Sequence, residues 1–379
     1  MSRDSIWINV CEASADAYGA LLMRELKALS PELEIMGMGG EAMRAQGLNT
    51  VYRAEQLSLV GLTEVFTALP RIAGYLWKIN KILKKTKPRA MVLIDAPDFN
   101  FHLARMAARL NIPVIYYIAP QVWAWRKSRI RFLKKYVNKI VCIFPFEQSF
   151  FQDQDVPAVY VGHPLLELMD LDQIEGITPL ENQIAILPGS RKKEITSLLP
   201  VFTSVAERLH RIRPDLNFGI VRAPGISREF LLRHTRENSF ISCIEPEKRH
   251  QYLKKSLMAM AASGTITLEC AILEVPAIVA YKLSWTSYLA GRLLVDVPYI
   301  SMPNLILGRA VYPEFIQQQA GSESIYREAL RLLSRPEERE KMCMELLKIK
   351  SLLGEKKATQ ACARLILDTM SSNKTGNKR

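Results

Sequence analysis

Carboxylates placed directly after short β-branched runs are the first residues here whose type and position could do chemistry. Cys11-Glu12-Ala13-Ser14-Ala15-Asp16 follows Ile6–Val10, and Asp95-Ala96-Pro97-Asp98-Phe99-Asn100 follows Ala90–Ile94. Polar residues at the carboxyl ends of strands in an open α/β sheet face the crevice that receives ligands. A carboxylate there can deprotonate a substrate hydroxyl once burial lifts its pKa towards neutrality. Asp95 is the base candidate; Asp98 is the alternative, and also reads as a cap for a helix over Phe99–Leu110. Pro97 is expected to keep Ala96 extended, which would set the direction of Asp95. Glu12 follows its strand too closely for capping to explain it. Ser14 and Asp16 read equally well as helix caps, worth about 1 kcal/mol.

A second kind of chemistry lies in two glycine-bearing turns. Leu187-Pro188-Gly189-Ser190-Arg191 combines a glycine that lets backbone amides approach an anion with a two-pronged guanidinium. It lacks the Walker A spacing. Ser263-Gly264-Thr265 repeats the device ahead of a helix carrying Glu269, one turn beyond Thr265. Thr265 would meet phosphate and Glu269 would accept ribose hydroxyls. Two such turns in equivalent places point to a nucleoside diphosphate.

Other residues suit a lipid or sugar. Val122-Trp123-Ala124-Trp125-Arg126 follows a strand, and Trp123 and Arg126 could line an acceptor site; a core place for the tryptophans is the alternative. The basic run from Arg126 to Lys135 reads as a solvated helix face or a phosphate holder. In Leu62–Pro88, apolar Phe66, Leu69, Ile72, Leu76 and Trp77 mix with Arg71, Lys78, Lys81, Lys84 and Lys85. That mixture fits an interfacial helix, and part of it fits a crossover helix packed on a sheet. The triplets Asp153-Gln154-Asp155 and Asp170-Leu171-Asp172 follow no core strand, and no His or Cys cluster has metal spacing, so no metal is expected.

The elements that must position these residues are two βαβ series. Ile6–Val10, Ala90–Ile94, Val114–Ile118, Lys139–Ile143 and Ala158–Val161 read as strands buried on both faces. After the irregular Asp170–Asn182 a second series runs through Ile184–Leu187, Phe218–Val221, Ile241–Ile244, Leu257–Ala261 and Ala277–Ala280. Two doubly wound Rossmann-like α/β domains are expected, 1–170 and 171–351. After Pro313 the pattern reads as purely helical, and Ser371–Arg379 as a frayed basic tail.

Composition agrees with an ordinary globular enzyme: 49% of residues are apolar and 23% charged, which excludes general disorder. The 51 basic against 38 acidic residues leave a net charge of +13 and favour an anionic partner. Six unclustered cysteines suit a reducing compartment. The first residues lack a secretory signal, and Leu257–Tyr281 carries two carboxylates and a proline, against a membrane span. A chain that is soluble, or that touches a membrane from one side, is expected.

Taken together, Glu12-Ala13-Ser14, Ile94–Asn100, Val122–Arg126, Pro145-Phe146-Glu147, Gly162-His163-Pro164, Leu187–Arg191, Ser263-Gly264-Thr265 with Leu268-Glu269, and Ser301-Met302-Pro303-Asn304-Leu305 resemble the lipid-A-disaccharide synthases, inverting glycosyltransferases of Gram-negative bacteria. The resemblance implies a GT-B fold, with the acceptor domain first, the UDP-sugar domain second, and a C-terminal helical segment from about 352 to 379 crossing back to the first. It implies UDP-2,3-diacylglucosamine and 2,3-diacylglucosamine 1-phosphate (lipid X) as substrates, an inner-leaflet membrane surface, no cofactor, and a homodimer through the C-terminal helices. It makes Asp95 the base, Glu12 a supporting carboxylate and Arg191 a diphosphate contact, and it adds Asn304 and Gln317 to the donor site. Cys11 and Ala15 stand where the family has glycines, so no positive φ is expected at Ala15. The rival readings are a UDP-N-acetylglucosamine 2-epimerase or other UDP-sugar transferase, and a nucleic-acid-binding protein. The latter lacks a recognised motif and aromatics interleaved with its basic run, so no nucleic acid is expected as partner.

Overall fold

The structure is a computed structural model that describes residues 4–54, 65–124, 127–235, 238–283, 297–355 and 357–376; the side chains of 13–14, 65–71, 127 and 373–376 lie outside it. The chain divides into two compact units, residues 1–168 with 353–379, and residues 169–352.

The first unit is built on a parallel sheet of β1 (Ser5–Val10), β2 (Glu34–Gly39), β3 (Asn49–Arg53), β4 (Met91–Ile94), β5 (Val114–Tyr117), β6 (Lys139–Cys142) and β7 (Ala158–Tyr160), in the order β3-β2-β1-β4-β5-β6-β7. β4 and β5 are continuous apolar runs buried along their whole length, as helices covering both faces require, and β1 is equally buried, with Ser5 and Asn9 among its apolar residues. The helix Pro97–Arg109 starts with proline, whose missing N–H costs nothing at that position, and turns Phe99, Leu103, Ala104 and Ala107 into the core.

The second unit repeats the plan with β8 (Leu180–Leu187), β9 (Asn217–Val221), β10 (Ile241–Ile244), β11 (Ser256–Ala262), β12 (Ala277–Tyr281) and β13 (Glu314–Ile316), all parallel, in the order β10-β9-β8-β11-β12-β13. In each sheet the strand order reverses direction once, between β1 and β4 and between β8 and β11. Ligands of doubly wound sheets bind at that switch point, outside the carboxyl ends of the flanking strands.

The last helix, Ala358–Gly376, packs on the first, Ala13–Leu29. Its first turn is capped from the same unit, where the Thr359 N–H donates to Glu167 Oε1 at 2.8 Å. The outgoing and returning chain segments touch: the His163 N–H donates to the Leu353 carbonyl at 2.9 Å. A Cβ on Gly354 would lie 3.3 Å from the Gly162 Cα, so this close approach needs glycine on both sides.

Three strands escape the pattern reading: β2, β3 and β13. The segment after Pro313 is not purely helical, since Glu314–Ile316 pairs with β12 through Val279 and Tyr281. The frayed tail is also corrected, because helix continues to Gly376. Among the described residues, no helix is long and apolar enough to cross a membrane.

Candidate active site

Glu12 and Asp95 stand on either side of the first switch point. Val10 pairs with Ile94 in register, so the residues that follow leave adjacent strand ends. Cys11 lies between their charges: burial first, and then the carboxylates of Glu12 and Asp95, push its thiol up to about 12. Glu12 is exposed and occupies the N-cap position of Ala13–Leu29 with extended backbone. Asp16 does not cap its own helix. Its carboxylate is buried and accepts the N–H groups of Gly40 at 2.7 Å and Ala42 at 2.8 Å, capping the neighbouring helix Glu41–Ala45. Ala15 is helical, and among the described residues it takes no positive φ.

Asp95 is half-buried. The expectation for Ala96 is overturned: Asp95 (φ 50°) and Ala96 (φ 44°) are both left-handed, and Ile118, at the end of adjacent β5, has φ 61°. Such conformations cost non-glycine residues about 1–2 kcal/mol each. They persist only where surroundings over-determine them, commonly at functional sites. Here the surroundings are polar and buried. The Asp95 carbonyl accepts Tyr116 Oη–H at 2.6 Å and Asn100 Nδ2–H at 2.7 Å. Asn9 Nδ2 donates in turn to Asn100 Oδ1 at 2.7 Å. Asp98 does not cap its helix; it is largely exposed at the second helical position and ion-paired with Arg129.

The lipid-facing candidates divide. Trp123 is buried and donates Nε1–H to Glu147 Oε1 at 3.1 Å, which makes it a core residue. Burial pushes that Glu147 carboxyl up to about 7, against the hydrogen bonds it accepts. Ile72 and Leu76 pack on the first unit's core, contrary to a membrane-facing role. Arg126 lies outside the described residues, as do the side chains of Phe66 and Leu69. On the same Val65–Thr86 helix Trp77 is 68% exposed, with the Lys81 ammonium 5.7 Å from its ring centre. Among the described side chains of this helix, Trp77 is the large apolar group that faces outward. Much of the basic run is engaged within the unit: Lys134 pairs with Asp155 at 3.0 Å, and the Arg129 guanidinium covers Phe101 at 5.3 Å.

Gly189–Arg191 and Ser263–Thr265 flank the second switch point. Gly189 has φ 112°, and a Cβ there would stand 2.6 Å from Glu194 Oε2. That same Oε2 accepts the backbone N–H groups of Ser190 at 3.2 Å and Arg191 at 3.3 Å, and Arg191 Nη1 lies 3.3 Å from Oε1. The amides expected to receive an external anion thus hold an internal carboxylate, while the Arg191 side chain is 73% exposed. Glu194, three residues into the capping pattern, is the signal that sequence reasoning missed.

In the other turn Gly264 and Thr265 are exposed, and space is open beside Gly264. The Ser263 hydroxyl donates to the Ile300 carbonyl at 2.7 Å. Glu314 accepts the Ile300 and Ser301 N–H groups, both at 2.9 Å, and so anchors that segment. Asn304 is fully buried: its amide donates to Tyr312 O and Glu314 Oε1, and its Oδ1 accepts from Val311 and Tyr312. Gln317, left-handed at φ 53°, grips the Leu283 backbone through both ends of its amide. Glu269 is buried one turn below Thr265, with Oε2 against Arg249 Nε at 2.8 Å and His250 Nε2 at 3.0 Å. Neither residue was visible as a partner in the sequence.

The chain has close relatives. A family model described as lipid-A-disaccharide synthetase matches residues 6–367. A lipid-A-disaccharide synthase of Solibacter usitatus (strain Ellin6076) is 37% identical over 359 residues, covering 92% of this chain and 93% of the relative. One from Anaeromyxobacter dehalogenans (strain 2CP-C) is 36% identical over 374 residues, covering 97% and 98%. Among solved structures, UDP-GlcNAc 2-epimerase of Neisseria meningitidis bound to UDP-GlcNAc superposes with a TM-score of 0.66 at 14% identity, over 96% of this chain and 99% of that one. The calicheamicin glycosyltransferase CalG4 gives 0.63 at 12%, over 98% and 99%. At such identities the likeness speaks for the fold, which is of the GT-B type. Sequence, fold and strand-end chemistry converge, and the chain belongs to the lipid-A-disaccharide synthase family of glycosyltransferases.

Proposed function

We propose that this enzyme transfers the sugar of UDP-2,3-diacylglucosamine to the 6-hydroxyl of 2,3-diacylglucosamine 1-phosphate (lipid X), giving the β-1′,6-linked disaccharide 1-phosphate and UDP. The observation that carries this reading is the pairing of opposite chemistries at the two switch points. Carboxylates flank the first, at Glu12 and Asp95, and anion-receiving turns flank the second.

Asp95 takes the proton of the acceptor hydroxyl as its oxygen attacks the anomeric carbon, and Glu12 supports it. The bond to the UDP oxygen breaks on the opposite face, so configuration inverts. Arg191, Thr265 and the amides at the two helix N-termini meet the charge that develops on the leaving diphosphate, without a metal ion. Glu269 keeps Oε1 for the ribose hydroxyls. Asn304 and Gln317 act from behind, by holding the segments before Glu314 and at Leu283. Residues 1–170 serve the acceptor and 171–351 the donor.

The substrates' acyl chains place the enzyme on the inner leaflet from the cytoplasmic side, and Trp77 among its lysines suits a headgroup layer. A homodimer would bring exposed Met344 and Leu347 towards cover. Incubation with UDP-diacylglucosamine and lipid X, with mass spectrometry of the product, tests the reaction; no disaccharide 1-phosphate means the reading is wrong. Trp77→Ser is expected to weaken co-sedimentation with anionic vesicles roughly threefold or more; unchanged binding removes Trp77 from the membrane contact.

A further inference from the structure

Asp95 and Ala96 adopt consecutive left-handed conformations at the end of β4. Neither is glycine, and proline follows, so the local sequence does not account for this backbone. What accounts for it converges on one atom. The Asp95 carbonyl oxygen takes two buried donors, Tyr116 Oη at 2.6 Å and Asn100 Nδ2 at 2.7 Å, and the same Nδ2 reaches the Ile94 carbonyl at 3.2 Å. Asn9 Nδ2, also 3.4 Å from Cys11 Sγ, donates to Asn100 Oδ1 and thereby settles which end of that amide faces the elbow. The donors arrive from three elements: β1 and β5, which both pair with β4, and the helix that follows the elbow.

Tyr116 and Asn100 are fully buried. A phenylalanine at 116 would fill the same core space without placing a hydroxyl there, so the polar group calls for an account of its own. Burial, followed by the charge of Asp95, raises the Tyr116 phenol well above its ordinary value and keeps it a donor throughout the working pH range.

We propose that Asn100 and Tyr116 are positioning residues that lock the Asp95 main chain in its left-handed turn and so aim the Asp95 carboxylate at the acceptor hydroxyl. The proposal rests on the reading of Asp95 as the base. A base misplaced by about 1 Å loses turnover on the order of a hundredfold while ground-state binding persists.

Steady-state kinetics with both substrates test it, beside UDP binding and thermal melting. Tyr116→Phe is expected to lower kcat roughly tenfold and Asn100→Ser roughly a hundredfold, with both KM values and UDP affinity within about twofold of wild type. Ala96→Val attacks the same backbone from its partly exposed side, because a β-branched residue resists the left-handed region. It is expected to lose kcat as Tyr116→Phe does, and Ala96→Gly to lose less. Should Tyr116→Phe fail to fold, the Ala96 pair decides. Wild-type kcat in Tyr116→Phe and Ala96→Val, with Asp95→Asn inactive, overturns the proposal and leaves the base intact. Losses of kcat that follow melting temperature and UDP affinity in parallel overturn it too. Wild-type turnover in Asp95→Asn overturns the base reading itself.

Discussion

The two switch points share a topology and differ in how their reactive groups are held. At the first, backbone strain is clamped by buried hydrogen bonds, and Asp95 is half-buried above them. At the second, the turns lie at the surface, and the amides of Ser190 and Arg191 rest on Glu194, which belongs to the protein itself. A proton acceptor works only from one geometry, so rigidity serves it. On the proposed reading, a site that captures and releases a diphosphate gains from donors that already have a replaceable partner. On that reading the same fold supplies a fixed tool at one place and an exchangeable seat at the other.

This contrast can be broken by substitution. Asp95→Asn should fold normally and lose roughly a thousandfold or more in kcat with little change in UDP affinity; near-normal turnover would sink the base. Arg191→Ala should do the reverse and weaken UDP binding roughly tenfold or more by titration calorimetry. An unchanged dissociation constant would move the diphosphate elsewhere.

The pH dependence sharpens the contrast within the first unit. Burial lowers His163 to about 3, and the ring stays neutral to accept the Leu165 N–H at 3.1 Å. Its contribution is therefore present above its unfolded value and lost as pH falls from about 6.5 towards about 3. Glu147, raised to about 7, acts oppositely: its contribution is present at low pH and fades as pH rises through about 7. Chemical denaturation of His163→Gln against wild type isolates the histidine, and between pH 7 and pH 5 the variant should lose roughly 1–2 kcal/mol less. Equal losses would count against a neutral, buried His163.

The smallest effect is expected at Glu194. Glu194→Gln should tighten UDP binding by roughly threefold, because a fixed negative charge leaves the phosphate's place, while the helix cap weakens by under about 1 kcal/mol. Weaker UDP binding would make Glu194 a fixed part of the seat.

Much of this was legible in advance. Short unbroken apolar runs such as Met91–Ile94 and Val114–Tyr117 read as strands covered on both faces, and the residues that follow them mark the candidate sites. β2 was hidden because Gly37 and Gly39 interrupt its pattern, β3 because it is a polar edge strand, and β13 because it has three residues. The partners of site residues were less visible than the residues themselves. Asn100 sits within the Asp95 motif, yet nothing in its spacing says that its amide bonds back to the elbow. Ala96 went against the pre-proline preference because Tyr116, distant in sequence, helps hold the carbonyl beside it. Trp123 could read as ligand or core until Glu147 appeared beneath its indole nitrogen.

The meeting of Gly162 and His163 with Leu353 and Gly354 makes the entire second unit an insertion whose two ends emerge side by side. A short linker joining residue 168 to residue 353 would give an unbroken chain through the first unit, so that half can be built and its autonomy measured as a protein in its own right.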